Sequence, residues 1–130
     1  MYGGRDFMRR EDILSIINGE KESMKSAQAR AVDIPQRVKQ KVWERDEGRC
    51  VVCGYNRNTM PNAHFIPRSK GGLGIERNVV TLCTNFTPNM CHYKYDFGTK
   101  EEREEIGAKI EEYLWSIYED WDKELLVYKH

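Results

Sequence analysis

No apolar run in the chain approaches the ~20 residues that a helix needs to cross a bilayer, which argues against a membrane-spanning segment. The first residues, Met1-Tyr2-Gly3-Gly4-Arg5-Asp6, carry charge and lead into no apolar stretch of the secretory-signal kind. A cytoplasmic, reducing setting is therefore expected, where clustered cysteines more often bind metal than pair as disulfides. Internal repeats and low-complexity tracts are lacking too, which argues against a stacked array. Net charge is also absent, yet the zero conceals an asymmetry: residues 1–100 carry 17 Lys/Arg against 11 Asp/Glu, and residues 101–130 carry 4 against 10. A basic body can meet a polyanion while the acidic tail faces away or faces a protein; equally, the tail can be one solvated helix.

What is present, at 130 residues and 39% hydrophobic, suits one domain with a modest core and terminal extensions. Residues 1–31 read as a polar N-terminal arm or helix, with Ile13, Ile16 and Ile17 interrupted by Asn18-Gly19. Residues 32–98 form the expected core. Asp33-Ile34-Pro35-Gln36 opens a helix with Asp33 as cap; Val38 and Val42 lie one turn apart, and Gly48 stops it. Its cations Arg37, Lys39, Lys41, Arg45 and Arg49 give either a phosphate-facing surface or a solvated face. Two short strands are expected at 60–66 and 78–82, around a loop whose Gly71, Gly72 and Gly74 tolerate positive φ and close backbone approach. A short helix within 89–97 ends at Gly98, and Thr99 with Glu102 makes a capping box for the next one. That helix, within an acidic amphipathic segment 99–130, carries Ile106, Ile110, Tyr113, Leu114, Ile117 and Tyr118 at helical spacing to about Glu119 and packs on the core.

Chemistry concentrates between Cys50 and His92. Cys50-x2-Cys53 puts two thiolates on one turn, and Cys83 with Cys91 would complete a tetrahedral structural zinc site. The gap from Cys83 to Cys91 is wider than usual, so its loop must bulge or one thiol does not ligate. A redox pair or buried free thiols are the other readings of these cysteines. Only three histidines occur, and two of them, His64 and His92, lie in this segment with Asn78.

The ordered set Ala63-His64-Phe65-Ile66-Pro67-Arg68-Ser69-Lys70-Gly71-Gly72, Asn78-Val79-Val80-Thr81-Leu82-Cys83 and Cys91-His92 resembles the HNH endonuclease family. The resemblance is closer to the small HNH proteins of phages and prophages, and it extends from about Ile34 to Gly98. It implies an α+β fold: a small ββα-metal, treble-clef-like core stapled by structural zinc and flanked by N-terminal and C-terminal helices. It implies that His64 is the general base, that Asn78 holds the loop orienting it, and that His92 ligates a catalytic divalent ion (magnesium, manganese, nickel or zinc). Asp96, four residues after His92 and so on the same helix face, resembles the second ligand of that ion. Arg68 and Lys70 follow the catalytic strand, placed to grip phosphates or simply solvated.

The chemistry accords with these roles, since a neutral histidine with a pKa near ~6.5 can accept a water proton at physiological pH. The implied partner is duplex DNA, with a role beside a phage terminase in genome packaging, or in restriction or homing. One position departs from the family: many relatives carry a metal-ligating Asp or His before the first motif histidine, where this chain has Ala63. The ion would then rest on His92, Asp96, waters and substrate, or His64 is itself a ligand. Two competing readings follow: a zinc-stabilised nucleic-acid-binding module without catalysis, and an adaptor that docks partners on the acidic helix.

Overall fold

The computed structural model describes residues 26–129. The isoleucine-bearing segment expected to be helical near Ile13 lies outside them. The chain divides into two units between Arg30 and Ala31, and the sheet, the cysteine cluster and both motif histidines belong to the second. The order of elements is α1 (Ala27–Val32), α2 (Gln36–Asp46), β1 (Thr59–His64), β2 (Val79–Cys83), α3 (Cys91–Phe97) and α4 (Lys100–Ile117). Single 3-10 turns occupy Arg68–Lys70 and Lys123–Leu126. This is a small α+β architecture: a two-stranded antiparallel sheet with helices packed on it. Among the described residues no helix is long and apolar enough to cross a membrane.

The strands pair Thr59 with Cys83, Met60 with Leu82, Ala63 with Val80 and His64 with Val79. The register slips by one residue between Met60 and Ala63, a bulge at Pro61-Asn62. Proline has no N–H to give a ladder, so a bulge on an edge strand is where it does least harm. The slip decides which residues face inward. Ala63 enters the core fully buried against Val80 and Leu82, beside Ile106, Ile110 and Leu114 of α4. His64, the next residue, is on the opposite face.

Side chains from the end of α2 cover the free edge of β2. Asp46, buried, accepts the Thr81 N–H at 2.8 Å on Oδ2, and Arg45 donates to the Val79 carbonyl at 2.8 Å. Arg45 also grips Asp46 at 2.7 Å, the Glu76 carbonyl at 2.7 Å and the Tyr118 hydroxyl at 3.1 Å, while Tyr113 donates to Asp46. An exposed edge invites pairing with another chain, and this network removes that opportunity. It also corrects the reading of Arg45 as part of a phosphate-facing surface. Arg45 sits seven residues after Val38, on the inward face, and its charge is consumed by Asp46 and two carbonyls.

Three other details depart from expectation. Asp33 does not cap α2, whose N-cap is Pro35 with no side-chain hydrogen bond; Asp33 instead pairs with Arg68 at 2.7 Å. Helix α4 has the expected Thr99–Glu102 capping box but ends at Ile117, and Ile117 is exposed. Trp121 and Leu126 then turn back into the core, held by a bridge between Gly72 and Val127 and a Trp121 Nε1–H bond to the Arg77 carbonyl at 2.7 Å. Trp121 keeps the helical spacing from Leu114 but lies past the end of α4, and Leu126 is off the stripe, so periodicity alone does not place them in the core.

Candidate functional site

The four cysteines converge. Their sulfurs lie within 4.8 Å of one another, and Cys53 Sγ is 3.7 Å from Cys83 Sγ. Metal–sulfur bonds of ~2.3 Å in a tetrahedron set sulfur–sulfur edges of ~3.8 Å, so this spacing is that of a ligand set. None is in a disulfide. Backbone N–H groups of Cys53 and Cys91 point at Cys50 Sγ (3.5 Å) and Cys83 Sγ (3.3 Å). A hydrogen bond between the Cys91 and Cys50 thiols lowers Cys50 and raises Cys91, since neighbouring thiolates cannot all ionise without a cation. The loop after Cys83 does bulge: Thr84 bonds the Asn58 carbonyl, Thr87 donates to the Thr84 carbonyl and accepts from the Met90 N–H, and Met90 is left-handed at φ 45°. Those turns return Cys91 to the cluster at the start of α3. Four thiols in a closed, half-buried cage can hold a metal ion, and the donor set is the one that suits structural zinc.

The second cluster is built on the end of β1, the loop after it and α3. His64 Nε2 is 2.8 Å from the Val32 carbonyl at the end of α1. A carbonyl only accepts, so Nε2 carries the hydrogen and Nδ1 keeps its lone pair. The contact also satisfies an orphan carbonyl of the helix terminus. Burial holds the His64 pKa below its ordinary value, Arg68 and His92 push in the same direction, and the Val32 bond and Asp96 oppose it. His64 is thus neutral at neutral pH. That Arg68, Asp96 and His92 all act on it puts them within its electrostatic reach.

Asn78 is fully buried and carries three hydrogen bonds to the loop between the strands. Its Oδ1 accepts the Ile66 N–H at 2.9 Å, and its Nδ2 donates to the Ile66 carbonyl at 3.1 Å and the Leu73 carbonyl at 2.9 Å. The loop folds so tightly that a Cβ on Gly72 would meet the Ile66 carbonyl oxygen at 1.7 Å. Asn78 therefore clamps both ends of a loop that begins two residues after His64.

On α3, His92 Nε2 lies 3.4 Å from Asp96 Oδ2, one turn on, and both side chains reach solvent. Two such donors on one helix face can hold a divalent ion with several positions left open. Among the described residues no third His, Cys, Asp or Glu joins them at ligand distance. Ala63 is sealed in the core, so the strand offers nothing in its place. Arg68 and Lys70 separate. Arg68, paired to Asp33, lines a recess of about 410 Å³ with His64, Asn62 and Lys39; Lys70 lines a larger groove on the Asp96 side. Asn62 was not anticipated from sequence. It shares the His64 face by strand alternation, and its Oδ1 is buried with no partner among the described residues, but the bulge that puts it there leaves no signature in composition.

Comparison of the chain with protein-family models, with curated proteins and with solved structures finds no match.

Proposed function

We propose that the chain is a metal-dependent HNH-type endonuclease that hydrolyses DNA phosphodiester bonds, with structural zinc in the cysteine cage. The observation that carries this reading is the state of His64: half-buried, neutral, fixed through Nε2–H to the Val32 carbonyl, and left with a basic Nδ1. A general base needs that combination of a set tautomer and a proton affinity low enough to stay free at neutral pH. In this reading His64 takes the proton of the attacking water. Asn78 fixes the loop that follows His64, so the base does not drift from its position. His92 and Asp96 would hold a divalent ion. When bound, that ion supplies Lewis-acid stabilisation to the phosphate and leaving oxygens. Lys39, beside His64 in the 410 Å³ recess, supplies positive charge where the phosphate would rest, and Arg68 there is balanced by Asp33.

In this reading β1, β2 and α3 stand for the two strands and helix of a ββα-metal arrangement, and the proposed substrate is duplex DNA, in a phage or prophage setting that includes terminase-linked packaging. The competing reading, a zinc-stabilised nucleic-acid-binding module without catalysis, draws on two observations: Ala63 faces the core, and among the described residues His92–Asp96 has no third protein ligand. Supercoiled-plasmid relaxation titrated with magnesium, manganese, nickel and zinc separates the two. The nuclease reading expects cleavage with at least one ion and a shift to higher ion concentration in Asp96→Ala. Binding without cleavage under all four ions would favour the module.

A further inference from the structure

A groove of about 830 Å³ runs between the loop that follows β1 and the junction of α3 with α4. Phe65, Tyr95 and Phe97 give it aromatic walls, and Lys70, Lys100 and Arg103 give it cations. Asp96 marks the end nearest the His92 pair; Glu104 is the other acid, and Lys123 on the rim is engaged by Glu111 at 3.1 Å. Tyr95 is held in place by its hydroxyl, which donates to the Phe65 carbonyl at 2.6 Å. Phe97 is different. It is 73% exposed at the end of α3, yet steadied from behind by Tyr93, with ring centroids 5.5 Å apart. A large, supported apolar ring left open to water among cations needs an aromatic, anionic occupant more than an apolar one. The volume falls in the range that encloses one small ligand, so a nucleotide or two fits and a duplex does not.

We propose that this groove is a single-strand track: it seats unpaired nucleotides beside the His92–Asp96 pair, with a base stacked on Phe97 and flanking phosphates on Lys70, Lys100 and Arg103. The proposal deepens the nuclease reading and rests on it for the placement of the strand. It implies that the preferred substrates are frayed, nicked or melted DNA, where bases are free to stack.

The test is fluorescence anisotropy of the full-length chain, without added divalent ion, on a labelled ten-nucleotide oligothymidine and on an abasic strand of equal length. Wild type should bind the oligothymidine about tenfold more tightly, within the range of one base stacked on an aromatic ring. Phe97→Ala should abolish the difference and Phe97→Trp should keep it. Lys100→Glu combined with Arg103→Glu should weaken both strands alike and flatten the salt dependence by about 1.4 in the log–log slope. All these side chains are exposed, so circular dichroism should be unchanged in each variant. Equal binding of the two strands by wild type, or a preference that survives Phe97→Ala, overturns the proposal. The outcomes stay separable from the nuclease test. A chain that cleaves plasmid but binds neither strand loses the track and keeps the nuclease; Phe97-dependent binding without any cleavage does the reverse.

Discussion

Asn78→Ala is the substitution whose effect can be worked most directly from the geometry. The side chain is fully buried and serves three backbone groups: the Ile66 N–H, the Ile66 carbonyl and the Leu73 carbonyl. Truncation leaves all three without that partner, at about 1–1.5 kcal/mol each once partial rescue by water is allowed. The sum is roughly 3–4 kcal/mol, a large part of the 5–15 kcal/mol that holds an ordinary domain folded. Urea denaturation at fixed zinc content should therefore show an unfolding free energy lowered by that amount, with the midpoint shifted to lower urea and melting lower by about 10–15 °C. Asn78→Asp discriminates further. It keeps the acceptor for the Ile66 N–H but turns oxygen lone pairs onto two carbonyls, so it should be no milder than alanine unless it takes up a proton. Amide exchange at Ile66 should accelerate in Asn78→Ala, because that N–H loses its acceptor, and less so in Asn78→Asp, which keeps one. A loss under about 1 kcal/mol in Asn78→Ala, with Ile66 still protected, would refute the claim that this side chain clamps the loop.

Replacing Cys91 by Ser should remove zinc and lower stability as much as replacing Cys50, since both lie in the cage; one zinc per chain with unchanged melting would take Cys91 out of the ligand set. His64, held low chiefly by burial, should titrate below ~6.5 in the imidazole NMR signal. Because the folded state binds the proton less well than the unfolded chain, His64 contributes stability that is full above ~6.5 and is lost as pH falls towards the folded value; a midpoint at or above 6.5 would contradict its burial. Asp46→Ala should cost about 3–5 kcal/mol in denaturation, since it strands the buried Arg45 guanidinium and the Thr81 N–H, whereas Tyr113→Phe should cost only about 1 kcal/mol. Near-equal losses in those two variants would show that Asp46 is not the centre of the network.

The parts of the fold that were legible in the sequence are those written locally. The Thr99–Glu102 box needs only residues three apart, and the 3.6-residue stripe of α4 places Ile106, Ile110 and Leu114 in the core as read. The cage was legible because cysteine is scarce and paired, though only the bulged loop shows how Cys91 reaches the others. What the sequence concealed is non-local. Arg45 and Asp46 look like any solvated helix pair until β2 arrives with an open edge, and Asp33 reads as a cap until Arg68 competes for it. The one-residue bulge that sinks Ala63 and turns His64 and Asn62 to the other face is a register event, and register is fixed by pairing with a strand fifteen residues further on. Asn78 was singled out by resemblance; its three hydrogen bonds supply the physical reason it must be an amide there, offering one acceptor and two donors.

The most direct measurement of the central claim is plasmid cleavage by wild type and His64→Ala, side by side, in whichever divalent ion supports turnover. Wild type should show metal-dependent nicking and the variant should lose it, with zinc content and circular dichroism unchanged because His64 stands on the strand face opposite the core. Undiminished cutting by a folded His64→Ala protein would contradict the assignment of His64 as the base.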